Sequence, residues 1–443
     1  MHILIFSPKI TPRIRYIAEY IFHDYLQVDY GLTDSVKQFS ATKTLKLVYA
    51  DEPIDGALFV WQHPLLLQET IEKQAISLLT YNDLPAFFGT DHPQALFPFD
   101  LFAASFYLMS RYEEYLPHTP DRFGRFSPKN AIAASAGFLH KPIVNIWAKW
   151  LVGKLQEAFP EFIFPKRQFQ YLPTYDIDQP YAYQHRGIII NGAGLTKSIV
   201  KRHFNEAKTR LLTLIRQKRD AYDTYGFQFK MQEKFGFRPY YFILCAQERG
   251  EHDVVLDTNN KHIVNLLHRI KRHGFIGIHP SFASASDSEK IRMELKRLST
   301  VLDSPIVHSR QHYLLLKIPQ TYHALLSNGI MFDFSMGYAS RPGFRASVCT
   351  PFHFFDLTTN QTASLTIYPL TYMDGTLNDY MGLSRLDAQL LVKKLIDEVK
   401  AVDGLFISLW HNSSLSDSGH WRGWRAVYNY TLEYADSLSK KSD

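Results

Sequence analysis

A chain of 443 residues, 46% of them hydrophobic, has material for two packed cores, and one domain of that length would be unusually large. Its net charge of +6 is a mild basic excess that suits anionic partners, and with no basic tail or recognition motif beside it no nucleic-acid partner is expected. The two cysteines, Cys245 and Cys349, lack Cys-x-x-Cys spacing, which argues against a thiolate zinc site or a disulfide framework and for a reduced compartment.

In chain order, residues 3–6 read as a short buried strand without the charged head, long apolar core and small-residue cleavage site of a secretory signal. A helix over 13–25, strands over 46–49 and 57–60, and a long aromatic helix over 99–115 follow. In that last helix Phe102, Phe106, Leu108, Met109 and Tyr112 recur at helical spacing and read as a core stripe, while Arg111, Glu113 and Glu114 read as a solvated or ion-paired end. A helix over 143–159 precedes Pro160 and Pro165, so the boundary is placed at 165: a smaller α/β domain over 1–165 and a second domain over 166–443. No apolar run approaches membrane-spanning length, and the expected location is the cytoplasm. The oligomeric state leaves no trace in the sequence.

The second domain opens with Thr174-Tyr175-Asp176-Ile177-Asp178 after an apolar-aromatic approach. Strand alternation puts Asp176 and Asp178 on one side, within reach of one metal ion, although an Asp-x-Asp alone fits an ordinary strand-to-turn junction as well. Residues 197–220 are rich in Lys and Arg. With Ile199, Val200, Phe204, Leu211, Leu212 and Ile215 they read as a helix docked by an apolar face with its basic side in water; the other reading is a peripheral membrane or anionic-substrate face. From Pro239 strands over 240–245, 275–279 and 306–313 alternate with helices over 261–273 and 286–302. That pattern implies a parallel sheet, which tends to close into a barrel with its active groups at strand C-termini.

Chemistry-bearing residues fall at those ends. His279 closes an apolar strand just before Pro280, and a hydrogen-bonded core histidine is its plainer reading. Arg310 and His312 would share one side of a strand by two-residue alternation. Asp333 and Arg345 offer another acid and another cation, and the apolar run 405–410 terminates in His411.

The order of these motifs resembles the NodB-type polysaccharide deacetylases of carbohydrate esterase family 4. Thr174-Tyr175-Asp176-Ile177-Asp178 is similar to that family's first motif, His279 to its second, Arg310-Gln311-His312-Tyr313 to its third with His in place of Pro, and Leu409-Trp410-His411 to its last. The resemblance covers about 169–416. The segments around Tyr338 and Arg345 resemble a two-domain bacterial subgroup whose N-terminal α/β domain has no known role. It implies a distorted (β/α) barrel and a divalent metal cofactor, zinc by preference, with Asp176 as base, Asp178 and His279 as metal ligands and His411 as the acid that protonates the leaving amine. The family's further His falls on Ala283 here, so His312 is taken as the third ligand, with a water held by Ser281 or Ser284 as the alternative. Arg310 or Arg345 would pair with Asp176, and Tyr338 and Trp410 are candidate sugar platforms. The implied reaction is hydrolysis of an N-acetyl group on a carbohydrate or glycolipid amino sugar. A metal-free glycan-binding scaffold and an amidohydrolase for a non-sugar amide are the rival readings.

Overall fold

The computed structural model describes residues 2–285 and 287–439; Ser286, the expected start of a helix, lies outside them. Strands β1 (His2–Phe6), β2 (Asp29–Thr33), β3 (Leu45–Ala50) and β4 (Leu58–Trp61) pair in parallel in the order β2-β1-β3-β4. β1 and β3 read as nearly unbroken apolar runs because a parallel sheet is covered on both faces. Thr11 caps the helix Pro12–Ala18, its side chain accepting the Ile14 N–H, and the expected 13–25 helix continues as a π-helical turn over Glu19–Tyr25. The aromatic helix is Leu101–Met109, shorter than expected. Asp100 caps its start by accepting the N–H groups of Phe102 and Ala103, and Arg111, left-handed at φ 54°, follows its end. An antiparallel pair, β5 (Leu79–Tyr81) and β6 (Leu84–Ala86), lies between.

The second sheet holds β7 (Gln170–Ile177), β8 (Tyr240–Leu244), β9 (Phe275–His279), β10 (His308–Ser309), β11 (Phe332–Asp333), β12 (Phe352–Asp356), β13 (Gln361–Ile367), β14 (Tyr372–Met373) and β15 (Leu405–His411). Its order is β12-β13-β11-β10-β9-β8-β7-β15-β14. β12 pairs antiparallel with β13, and the remaining pairs are parallel. Helices Tyr225–Phe235, Lys261–His273, Ser288–Leu302, Gln320–Ser327 and Arg385–Ala401 serve the crossovers that parallel pairing requires.

The sheet curls. Three strand spacings separate β8 from β11, about 14 Å on a flat sheet, yet the rings of Phe242 and Phe334 lie 5.1 Å apart. They belong to a small inner core with Leu314, Leu370, Ile407 and Leu409. Gly277 faces the same interior, where a Cβ would stand 2.6 Å from the Phe242 ring, so only glycine lets that ring sit there. β13 pairs with β11, and a few residues on the same segment pairs with β15 as β14; between them the Leu370 N–H donates to the Met336 carbonyl at 2.9 Å. The hydrogen-bonded order still runs open from β12 to β14 among the described residues, so a curled, mainly parallel sheet stands where a (β/α) barrel was expected.

The strands of the two sheets fall on either side of residue 165, but they share one apolar core. The Tyr16 ring meets Phe355 at 5.0 Å and its hydroxyl donates to the His353 carbonyl, while the Asn145 side chain accepts the Cys349 N–H. A buried ion pair joins the halves: Arg345 donates twice to Glu114, at 2.6 and 2.9 Å, and Arg111 donates to the same carboxylate at 2.8 Å. The basic excursion departs most from expectation. It is two helices, Ile188–Val200 and Phe204–Leu214, and its apolar side faces solvent while Asn191, Ser198, Arg210 and Thr213 are buried.

Candidate metal and catalytic centre

Every group of the centre stands at the C-terminal edge of a parallel strand or in the loop just beyond it. Asp176 is in β7, opposite His411 of β15, and Asp178 follows the strand end. His279 ends β9. The alternation expected for Arg310 and His312 is absent, because β10 is only His308–Ser309. They are brought together instead by a loop in which Arg310 N–H donates to Ile278 O and His312 N–H to Pro280 O, followed by a tight turn with Tyr313 and Leu314 both left-handed (φ 59° and 51°). Side chains pay about 1–3 kcal/mol each for such backbone, so surrounding contacts must hold the turn. One of them comes from the N-terminal half: Arg125 donates to the Tyr313 carbonyl at 2.6 Å.

One ligand-capable atom from each of Asp178, His279 and His312 lies within 4.8 Å of the others. The His279 Nδ1–H donates to the Arg310 carbonyl, which leaves Nε2 of the neutral ring as a bare lone pair. That lone pair faces Asp178 Oδ1 at 3.3 Å and Asp176 Oδ2 at 3.5 Å. His312 is oriented alike, its Nδ1 hydrogen-bonded to Asp253 Oδ1 at 3.1 Å and its Nε2 3.7 Å from Asp178 Oδ1. Asp178 Oδ1 is buried and has no hydrogen-bond partner. Acceptors facing acceptors require positive charge between them, either a proton on the rings or a metal ion. One carboxylate oxygen with two imidazoles, each steadied through its far nitrogen, is a donor set that suits a divalent ion of the zinc type.

Two further groups flank these donors. Asp176, buried, accepts from Arg310 Nη1 at 3.1 Å, and the same nitrogen donates to Thr174 Oγ1 at 2.7 Å; the guanidinium lies over the Phe242 ring at 4.6 Å. His411 Nε2 lies 3.7 Å from Asp178 Oδ2, and its Nδ1 is bound by Asp374 Oδ1 at 2.8 Å. Asp374 is itself fixed by the His411 N–H and the Ser414 hydroxyl. With only protein groups present, burial acts to raise the Asp178 carboxyl. The neighbouring imidazoles, His312 first and then His411, outweigh it and hold the carboxyl well below the usual range. Burial likewise acts to lower His312 and His411; Asp178 with Asp253 pushes the first up to about 9, and Asp374 with Asp178 pushes the second up to about 10. An ion entering the cluster would compete with a proton for His312, whereas His411 stands outside the donor set and owes its raised value first to Asp374.

Several expected roles need correcting. Arg345 does not reach Asp176, because Glu114 engages its guanidinium on two nitrogens. Tyr338 and Trp410 are not sugar platforms: both are buried, the Tyr338 hydroxyl accepting from Arg111 and the Trp410 indole N–H donating to Tyr372. Ser281 and Ser284 bond to each other and to Glu294, and Ala283 gives only its N–H, to Asp253. Asp253 and Asp374, which orient the two histidines, had gone unnoticed in the sequence. Asp253 lies in the loop after β8, a strand-end position that could have flagged it. Asp374 follows a two-residue strand with no readable pattern.

A family profile described as a family of unknown function, DUF7033, matches residues 3–160, a stretch that ends before β7. No curated protein sequence matches the chain. Among solved structures the chain is similar to a protein assigned as a polysaccharide deacetylase from Mycobacterium smegmatis, at 12% identity and a TM-score of 0.39 over 63% of this chain and 93% of that one. It is also similar to a polysaccharide deacetylase from Bacillus cereus, at 11% identity and 0.28 over 61% and 88%, and to an allantoinase, at 11% identity and 0.38 over 61% and 85%.

Proposed function

We propose that the chain is a metal-dependent hydrolase that cleaves the N-acetyl amide of an amino sugar to acetate and a free amine. The observation that carries this reading is the convergence of Asp178, His279 and His312 between a carboxylate, Asp176, and an imidazole, His411. A divalent ion on the three donors would supply Lewis acidity, acidifying water and polarising an amide carbonyl. Asp176 has one oxygen committed to Arg310 and the other turned toward the cluster, where it can take the proton of an attacking water. His411, aimed from the opposite side of Asp178, can give its Nε2 proton to the departing nitrogen, which cannot leave as an amide anion. Asp374 keeps that ring in the right orientation and stabilises its charge.

A sugar ring has a place to lie. Beside the cluster a cavity of about 750 Å³ is lined by Phe123, His252, Phe282, Tyr313 and Tyr380, with Asp379 and Glu251 among its polar groups. Tyr313 packs on the His312 ring at 4.7 Å, and the Phe282 N–H donates to the same Asp253 that orients His312. Phe123, from the N-terminal half, meets Tyr313 at 5.3 Å. Aromatic faces with a few carboxylates suit a pyranose, whose C–H faces stack and whose hydroxyls donate. These rings take the role first given to Tyr338 and Trp410, and they give the N-terminal half a part in binding.

Acetate release from N-acetylglucosamine oligosaccharides tests the reading. It should be abolished by a chelator and restored by zinc or another divalent ion. Metal-loaded protein that releases no acetate from any N-acetylated sugar would contradict it.

A further inference from the structure

The helical pair Ile188–Val200 and Phe204–Leu214 is built inside out. Its buried positions are Asn191 and Ser198 on the first helix and Ala207, Arg210 and Thr213 on the second. Its outward positions carry Ile188 (92% exposed), Ile189 (87%), Ile199, Val200 (75%), Phe204 and Leu211. Phe204, Leu211 and Ile215 recur at helical spacing on one exposed side of the second helix and its C-terminal end, so the apolar residues form a face. The inward side is held by its own polar bonds: Arg210 donates to Asn191 and Glu206 and lies over the Tyr183 ring at 4.6 Å, and a Cβ on Gly194 would collide with its guanidinium. The inversion is therefore fixed by packing. Isolated apolar side chains on a surface need no explanation, but a face of them rimmed by charge marks an interaction site.

The rim is cationic. Lys197, Lys201, Arg202, Lys208, Arg216 and Lys218 are all exposed, and between Lys197 and Lys218 the one carboxylate is Glu206, which pairs with Arg210. The pair is also anchored at the mouth of the site. It begins ten residues after Asp178, and the buried carboxylate of Asp220 clamps its two ends by accepting the N–H groups of Ala182, Tyr183 and Gln184 at 2.8–2.9 Å. Two copies meeting through this face would bring like charges together, whereas an anionic lipid surface complements the apolar residues and the rim at once.

We propose that the helical pair over 188–215 docks the protein on an anionic bilayer surface, its aliphatic face among the headgroups and its lysines and arginines on lipid phosphates. Only residues 179–187 separate the pair from Asp178, so docking would bring the strand-end centre near the bilayer surface. The docking itself does not depend on which reaction is catalysed.

Flotation of the full chain with vesicles tests this, using phosphatidylcholine alone and phosphatidylcholine with about a third phosphatidylglycerol. The wild type should float with the anionic vesicles, weakly with the neutral ones, and less as salt is raised. The variant I199S/V200S/F204S/L211S should lose flotation while keeping its unfolding midpoint and metal content, since all four side chains are exposed. The variant K197Q/K201Q/R202Q should weaken anionic binding by on the order of a hundredfold. Wild type that stays in solution, equal flotation of the serine variant, or a concentration-dependent dimer that the serine variant abolishes would overturn the proposal, the last by giving the face to a second copy.

Discussion

Asp176→Asn is expected to keep the metal and the fold but to lose acetate release by about a hundredfold or more. Asparagine occupies the same space, and its carbonyl oxygen can still accept from Arg310, which now holds Asp176 Oδ1 at 3.1 Å. What it lacks is the ability to take a proton. Asp176 Oδ2 lies 3.5 Å from His279 Nε2 but is outside the Asp178-His279-His312 donor set, so its loss should spare metal binding. Single-turnover acetate release measured beside metal content separates the two roles. Activity within a few-fold of wild type would place the base elsewhere.

The largest expected effect on stability lies far from the chemistry. Glu114→Gln leaves Arg345 and Arg111, both buried, without the carboxylate that receives three of their N–H groups, and removing one partner of a buried ion pair costs roughly 3–5 kcal/mol. Burial acts to raise the Glu114 carboxyl, but Arg345 and then Arg111 outweigh it and hold it below its ordinary value. A lowered carboxylate contributes stability that is full above its unfolded value and is lost as pH falls through the folded one. The wild type should therefore lose this increment on acidification, and the glutamine variant should have little of it to lose. Denaturant unfolding at neutral and acidic pH measures both. A variant as stable as wild type at neutral pH would show that the pair contributes nothing net.

The sequence made the strand-end logic legible. Alternation in β7 and the termination of apolar runs at His279 and His411 are local facts, and a parallel sheet gathers such ends at one edge. What escaped depends on distance along the chain or on irregular backbone. Arg345 reads as a candidate partner of Asp176 because its actual partner, Glu114, is 231 residues away. Arg310 and His312 were assigned to a strand that ends at Ser309, and nothing in Gln311-His312-Tyr313 announces two left-handed residues in a row. Trp410 and Phe123 are alike as letters; only packing makes the first core and the second part of a cleft wall. The excursion misled because apolar periodicity identifies a face without saying which way it turns.

The most direct test is a titration of metal-free protein with zinc, read by calorimetry and elemental analysis on wild type and Asp178→Asn. Wild type should take up one ion per chain and release a proton as it does so, because the rings must be unprotonated to bind. Asp178→Asn should take up none at the same concentrations, since the negative charge on the oxygen that faces both imidazoles is gone and a neutral amide oxygen is a much weaker ligand. Equal stoichiometry and affinity in the two proteins would contradict the assignment of Asp178, His279 and His312 as the metal centre, and with it the hydrolase built around them.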